Sequence, residues 1–198
     1  MRTAFLAFST SIAILGGAAT ASAQSFGSPG VIAPGGNVSF YYLKSSPPEG
    51  SSTSSTSVVL MPTVMYFVID NLAVGGQVIL NTSSSDRTSS SAYGLAPAVG
   101  YNVPFSDVLS VFPSLMVGFQ TGSSEYTFST GGKMKSSSTK LAAIVDAPVL
   151  FHHGNFFIGG GPNLSFDLMA KETPDGGSSV DAHKLMMLGV SSFIGGWF

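Results

Sequence analysis

The chain has 198 residues, of which 9% are charged and 44% hydrophobic, with a net charge of −2 and no cysteine. An ordinary soluble domain is charged at about a quarter of its positions, nucleic-acid binding wants a basic patch, and a disulfide-stapled secreted domain needs cysteines, so composition argues against all three. Beyond the N-terminal segment no apolar run is long enough for a transmembrane helix, which leaves alternation along strands as the way to hide the apolar residues.

The N-terminus opens with Met1 and Arg2, continues through the apolar stretches 4–8 and 12–15, and reaches Ala21-Ser22-Ala23, a small-x-small pattern. This predicts a secretory signal peptide over 1–23, cleaved before Gln24. Residues 24–36 are small and polar with Pro and Gly, and read as a flexible lead-in to a single domain over 37–198. Strand-length segments follow at about 37–44, 56–69, 72–81, 91–102, 108–121, 137–151, 156–168 and 181–198, separated by turn signals.

The connections alternate in length. Those at 45–55, 82–90, 122–136 and 170–180 are long and rich in Ser, Thr and Gly, whereas 70–71, 103–107 and 152–155 are short. Long connections at one end and tight turns at the other are the pattern of outer-membrane barrels, with the turns in the periplasm. The strands also carry a period of two. Leu141, Ala143, Val145, Ala147 and Val149 share one face, against Lys140 and Asp146. Phe156, Ile158, Leu164, Phe166 and Leu168 oppose Asn163, Ser165 and Asp167. Tyr93, Leu95, Val99 and Tyr101 oppose Ala92, Gly94, Ala96, Ala98 and Gly100. The expected fold is all-β, an eight-stranded antiparallel up-and-down transmembrane β-barrel with an apolar outside and a small or polar inside. Eight strands leave an interior that side chains fill.

Pro62, Pro97 and Pro148 recur near the ends of alternate strands, the first two followed four residues later by Tyr66 and Tyr101. Those tyrosines are placed to act as an aromatic girdle at the periplasmic interface. Proline cannot donate to a ladder, so these positions, with Pro113 and Pro162, mark either bulges or bends near the rim, or strands shorter than drawn. The prolines are also what a soluble periplasmic β-sandwich would explain. The chain ends in Trp197-Phe198 with no charge after Lys184. A terminal Phe198 on an amphipathic strand is similar to the signal that the barrel assembly machinery reads, although Gly196 and Ser192 depart from its alternation.

The stretch from Pro62 through Tyr66 and Asp70-Asn71 to Gly75, the segment from Pro97 to Tyr101 and the terminal Phe198 resemble the small outer-membrane β-barrel family of the OmpA/OmpX-like type, over nearly the whole chain after residue 23. The resemblance implies chain termini in the periplasm and surface-exposed loops. It also implies roles in envelope integrity, in host interaction or adhesion, or in small-solute passage.

No residue pattern points to catalysis, a cofactor or a metal. His152 and His153 are adjacent on a strand or turn and point to opposite faces, so they do not readily share one ion. His183 and Asp181 at the outer end of the last strand lack any fixed base–nucleophile geometry. Gly159-Gly160-Gly161 lacks the Lys-Ser/Thr and helix of a phosphate loop. Lys140, Asp146, Asn163 and Asp167 are the expected lumenal polar residues, either as a side-chain network filling the barrel or as a narrow polar path. The functional expectation is a non-enzymatic, monomeric outer-membrane protein. Its partners would be membrane lipid and the barrel assembly machinery, with no nucleic acid. The alternatives are a narrow channel for a solute, an adhesin for a host surface and, last, a lipid-modifying enzyme.

Overall fold

The alternating segments form eight long antiparallel strands in the computed structural model, which describes residues 5–9, 25–45, 53–128 and 130–198. They are β1 (Ile32–Ser45), β2 (Thr53–Ile69), β3 (Leu72–Ser85), β4 (Thr88–Tyr101), β5 (Ser114–Thr127), β6 (Lys133–Asp146), β7 (Phe156–Pro174) and β8 (Met186–Gly196). Each pairs with the next. β8 returns to β1 through Gly36↔Ile194 and Gly35↔Gly195, so the sheet closes into a ring of eight strands. Among the described residues no helix is long and apolar enough to cross a membrane.

Several boundaries differ from the sequence reading, each for a physical reason. The expected lead-in 24–36 is built into the fold from residue 25 on: 25–30 form turns and β1 begins at Ile32. Ile32 N donates to Phe198 O (2.9 Å) and Phe198 N donates to Ile32 O (3.1 Å), extending the β1–β8 ladder to the last residue. Of the predicted signal peptide, Phe5–Ser9 forms a strand on residues 39–43 of β1; its remainder lies outside the described residues, as does most of the connection 45–55.

The connections predicted as long loops are mostly strand. Ser83, Ser84 and Ser85 pair with β2, Ser89 to Ser91 pair with β3, and Ser123 and Ser124 pair with Ser137 and Ser136. Ser and Thr meet the backbone requirements of a ladder while leaving both faces polar, so composition alone made these hairpin arms look like loops. At the opposite end, Asn71 takes the left-handed conformation (φ 63°) in the tight turn between Ile69 and Leu72, beside a register shift in the β2–β3 ladder. The expected turn 103–107 is instead a small hairpin, Val103–Ser106 with Leu109–Val111.

The prolines occur where the ladders break. The β2–β3 pairing jumps from Leu60↔Leu80 to Thr63↔Gln77, across Pro62, and the β4–β5 pairing jumps from Leu95↔Phe119 to Ala98↔Met116, across Pro97. Pro113 and Pro148 interrupt neighbouring strands at the same level. Past them Leu109–Val111 pairs with Val149–His153, which pairs in turn with the start of β7. The segment expected as one strand over 137–151 is therefore two. A missing N–H ends pairing on one side, and glycine lets the partner backbone close in: a Cβ on Gly36 would lie 2.9 Å from Pro62 Cα, and one on Gly161 would lie 2.7 Å from Pro148 Cα.

Candidate functional site

The ring presents two surfaces of opposite character. Outward, large apolar side chains are exposed on every ring strand: Phe40 on β1, Val64 on β2, Val78 on β3, Leu95 on β4, Phe119 on β5, Val145 on β6, Ile158 on β7 and Val190 on β8, from 39% to 83% accessible. Monomers in water rarely carry so extended an apolar face. Tyr66 and Tyr101, the expected girdle residues, are on this outer face near the short-turn end. Inward, Gly94, Ala96 and Gly100 on β4 are buried, and their small size leaves room for side chains from opposite strands.

Three layers fill the interior. At the short-turn end Phe67, Phe112, Leu150, Phe157 and Trp197 form a buried cluster against which Phe26 packs. The Phe26 ring lies 5.0 Å from Phe67, 4.8 Å from His152 and 5.4 Å from Trp197. Aromatic pairs at such separations contribute beyond their burial, so a residue of the expected lead-in is the centre of an end plug. His152 belongs to this plug. Its Nε2 lies 2.7 Å from Ser110 Oγ, its Nδ1 has no partner, and burial pushes its pKa below the usual histidine value. His153, the next residue, is exposed, as the strand geometry of this pair requires.

Above the plug lies a polar layer that contains all four predicted lumenal residues. The structure sorts them into two groups. Lys140 Nζ pairs with Asp167 Oδ1 at 2.7 Å, and Asp167 Oδ2 also accepts from Leu185 N at 3.0 Å. Asp146 Oδ1 accepts from Asn163 Nδ2 at 2.6 Å and from Ser191 Oγ at 3.2 Å. Thr63 and Gln77, across the interior, are joined by Gln77 Nε2 donating to Thr63 Oγ1 at 2.9 Å. Beyond Asp146 and Gln77 as seen from the plug, Ile79, Ala96 and Met116 form a second apolar cluster, with Ile144 packed against it.

At the far end the β5–β6 hairpin carries exposed charge. Lys133 Nζ donates to Glu125 at 2.7 Å with Lys135 alongside. That hydrogen bond first, and the two positive charges, hold the Glu125 carboxyl below its usual range. Among the described residues no group of three or more His, Asp or Glu side chains is placed to hold a metal.

The plug was the part the sequence reading missed. Its signal was present: alternation gives way to consecutive apolar residues at 64–69, 149–151 and 156–158. Consecutive apolar residues on a strand mean that both faces avoid water, and all three runs lie at the short-turn end. Compared with protein-family models and with curated proteins, the chain matches none.

Proposed function

We propose that this chain is an outer-membrane β-barrel protein of the small, side-chain-filled kind, a non-enzymatic component of the envelope that projects polar hairpins at one end. One observation carries the reading. The outer face is apolar and exposed around the whole ring while the interior, above its aromatic plug, holds small, polar and charged residues; an apolar outside around a partly polar inside is the distribution that lipid selects rather than water. Membrane lipid and the barrel assembly machinery are the partners this reading requires. The Ser110–His152 hydrogen bond supports packing rather than catalysis: Ser110 is 1% accessible, and among the described residues no carboxylate orients the imidazole.

The test is cell fractionation combined with detergent-gel mobility before and after boiling. Recovery in the outer membrane with a mobility shift on boiling is the expected result. Recovery as a soluble periplasmic protein without a shift would overturn the reading in favour of a sandwich. A narrow channel is the second reading, and the polar layer is what favours it.

A further inference from the structure

The two charge groups of the polar layer are not equivalent. Asp167 has Lys140 as a counter-charge at 2.7 Å. Asp146 has no Lys, Arg or His within salt-bridge distance among the described residues. Its two hydrogen bonds both fall on Oδ1, so the second oxygen keeps its lone pairs for another partner. A carboxylate held inside the ring without a counter-charge is costly.

Next to it lies a cavity of about 40 Å³. Oxygen-bearing side chains reach it from six of the eight ring strands: Asn37 (β1), Thr63 (β2), Gln77 (β3), Ser114 (β5), Asp146 (β6) and Ser191 (β8); the rest of the lining is mainly apolar. Asn37 is 9% accessible, and its Oδ1 is a buried acceptor with no hydrogen-bond partner. Gln77 donates its amide to Thr63 Oγ1 (2.9 Å), and the Thr63 hydroxyl donates to Met61 O (3.4 Å). That chain of donors fixes the Thr63 oxygen as an acceptor on the cavity wall. The wall carries oxygen acceptors and no histidine or cysteine, and the thioethers of Met65 and Met116 that also line it are soft donors that a hard ion does not take, so the site suits a hard cation, and the volume admits one ion with a water.

The charge of the ion follows from the same inventory. One carboxylate is neutralised by a single positive charge, whereas a divalent ion would leave a net charge in a low-dielectric interior. We propose that the interior of this protein holds a monovalent cation of sodium size, bound by the free oxygen of Asp146, by Asn37 Oδ1 and by the neighbouring hydroxyls, and that the ion ties together the strands on which these residues stand. The site depends on the closed ring of strands and not on the membrane reading, so it stands or falls separately.

The test is thermal unfolding of the refolded full chain in detergent, in sodium chloride or in choline chloride at equal ionic strength. Choline is too large for the cavity and controls for screening. Sodium should raise Tm saturably, by at least about 3 °C over choline. Asp146→Asn should abolish the difference, Asn37→Ala should weaken it, and Lys140→Met should leave it intact, because that lysine serves the other pair. Should Asp146→Asn fail to fold, Asn37→Ala and Ser191→Ala carry the same test with neutral changes. Equal Tm in the two salts would mean that water alone occupies the cavity and would overturn the proposal, as would a sodium response that survives in every one of these variants. Stabilisation by calcium with none by sodium would overturn the assignment of a monovalent ion.

Discussion

Lys140 and Asp167 show how much a single inward residue matters. The Asp167 side chain is 4% accessible and the Lys140 side chain 27%. Truncating the lysine leaves a buried carboxylate with only the Leu185 amide as partner. Lys140→Met should lower unfolding stability by about 2 kcal/mol, a value discounted for the partly wet lysine. The double change with Asp167→Leu should recover most of the loss, measured by denaturant unfolding of both variants. Conductance in planar bilayers should not change, because the end plug lies below the pair.

His152 gives a pH dependence at the same scale. Burial depresses its pKa in the folded chain, so the unfolded chain takes up a proton first as pH falls. The stability contributed by the neutral ring is fully present above the unfolded value of about 6.5. It is lost progressively as pH falls through the folded value, since the charged ring has no acceptor at Nδ1. Unfolding stability measured between pH 7.5 and 5 should therefore decline in the wild type. His152→Phe, which keeps the ring packing against Phe26 and Trp197, should flatten the part of the decline due to this residue. An unchanged slope in the variant would remove His152 as its source.

At the scale of the strands, β1 and β8 are the incomplete pair. Their ladder runs in one register from Ile32 with Phe198 up to Gly36 with Ile194 and stops there. Beyond it β1 is paired with Phe5–Ser9, and residues 186–190 of β8 are exposed, Leu188 at 79% and Val190 at 83%. Unpaired backbone is too costly to face hydrocarbon. Continuing the same register would bring Phe40 opposite Val190 and Tyr42 opposite Leu188. In a chain beginning at Gln24 and inserted in lipid, Tyr42→Cys with Leu188→Cys should form a disulfide, since directly opposed antiparallel Cα atoms lie about 4.5–5.5 Å apart. Phe40→Cys with Met186→Cys, four positions out of register, should not. The absence of native cysteines makes the cross-link readable on a gel. Cross-linking of neither pair would show that the seam stays open.

The same elements show what was legible. Strand existence and the face of Lys140, Asp146, Asn163 and Asp167 could be read from a period of two. The hairpin arms could not, because Ser-rich sequence is compatible with both ladder and loop until a partner strand is in place. The break at Pro148 could be anticipated, but not that Pro113 breaks the neighbouring strand at the same level, which depends on register.

Over the whole molecule, the stacked layers bear on function more than any single residue. Plug, apolar cluster and polar layer fill the interior around the small cavity beside Asp146, so recordings from planar bilayers should show no steady conductance even at high protein load. Steady channels would instead favour the solute-passage reading. By itself the sequence determined that the chain is antiparallel β with one apolar and one small or polar face, because that alternation is a local property of a strand. It also marked positions where a strand can pair on one side only, because proline lacks a donor. Only the tertiary structure decided that the strands close into a ring, that Phe26 and Trp197 meet in a plug, and that Lys140 answers Asp167 while Asp146 is left without a counter-charge. Those outcomes depend on which strands become neighbours and in which register, and register between distant strands is set by the fit of the whole ring rather than by any segment of it.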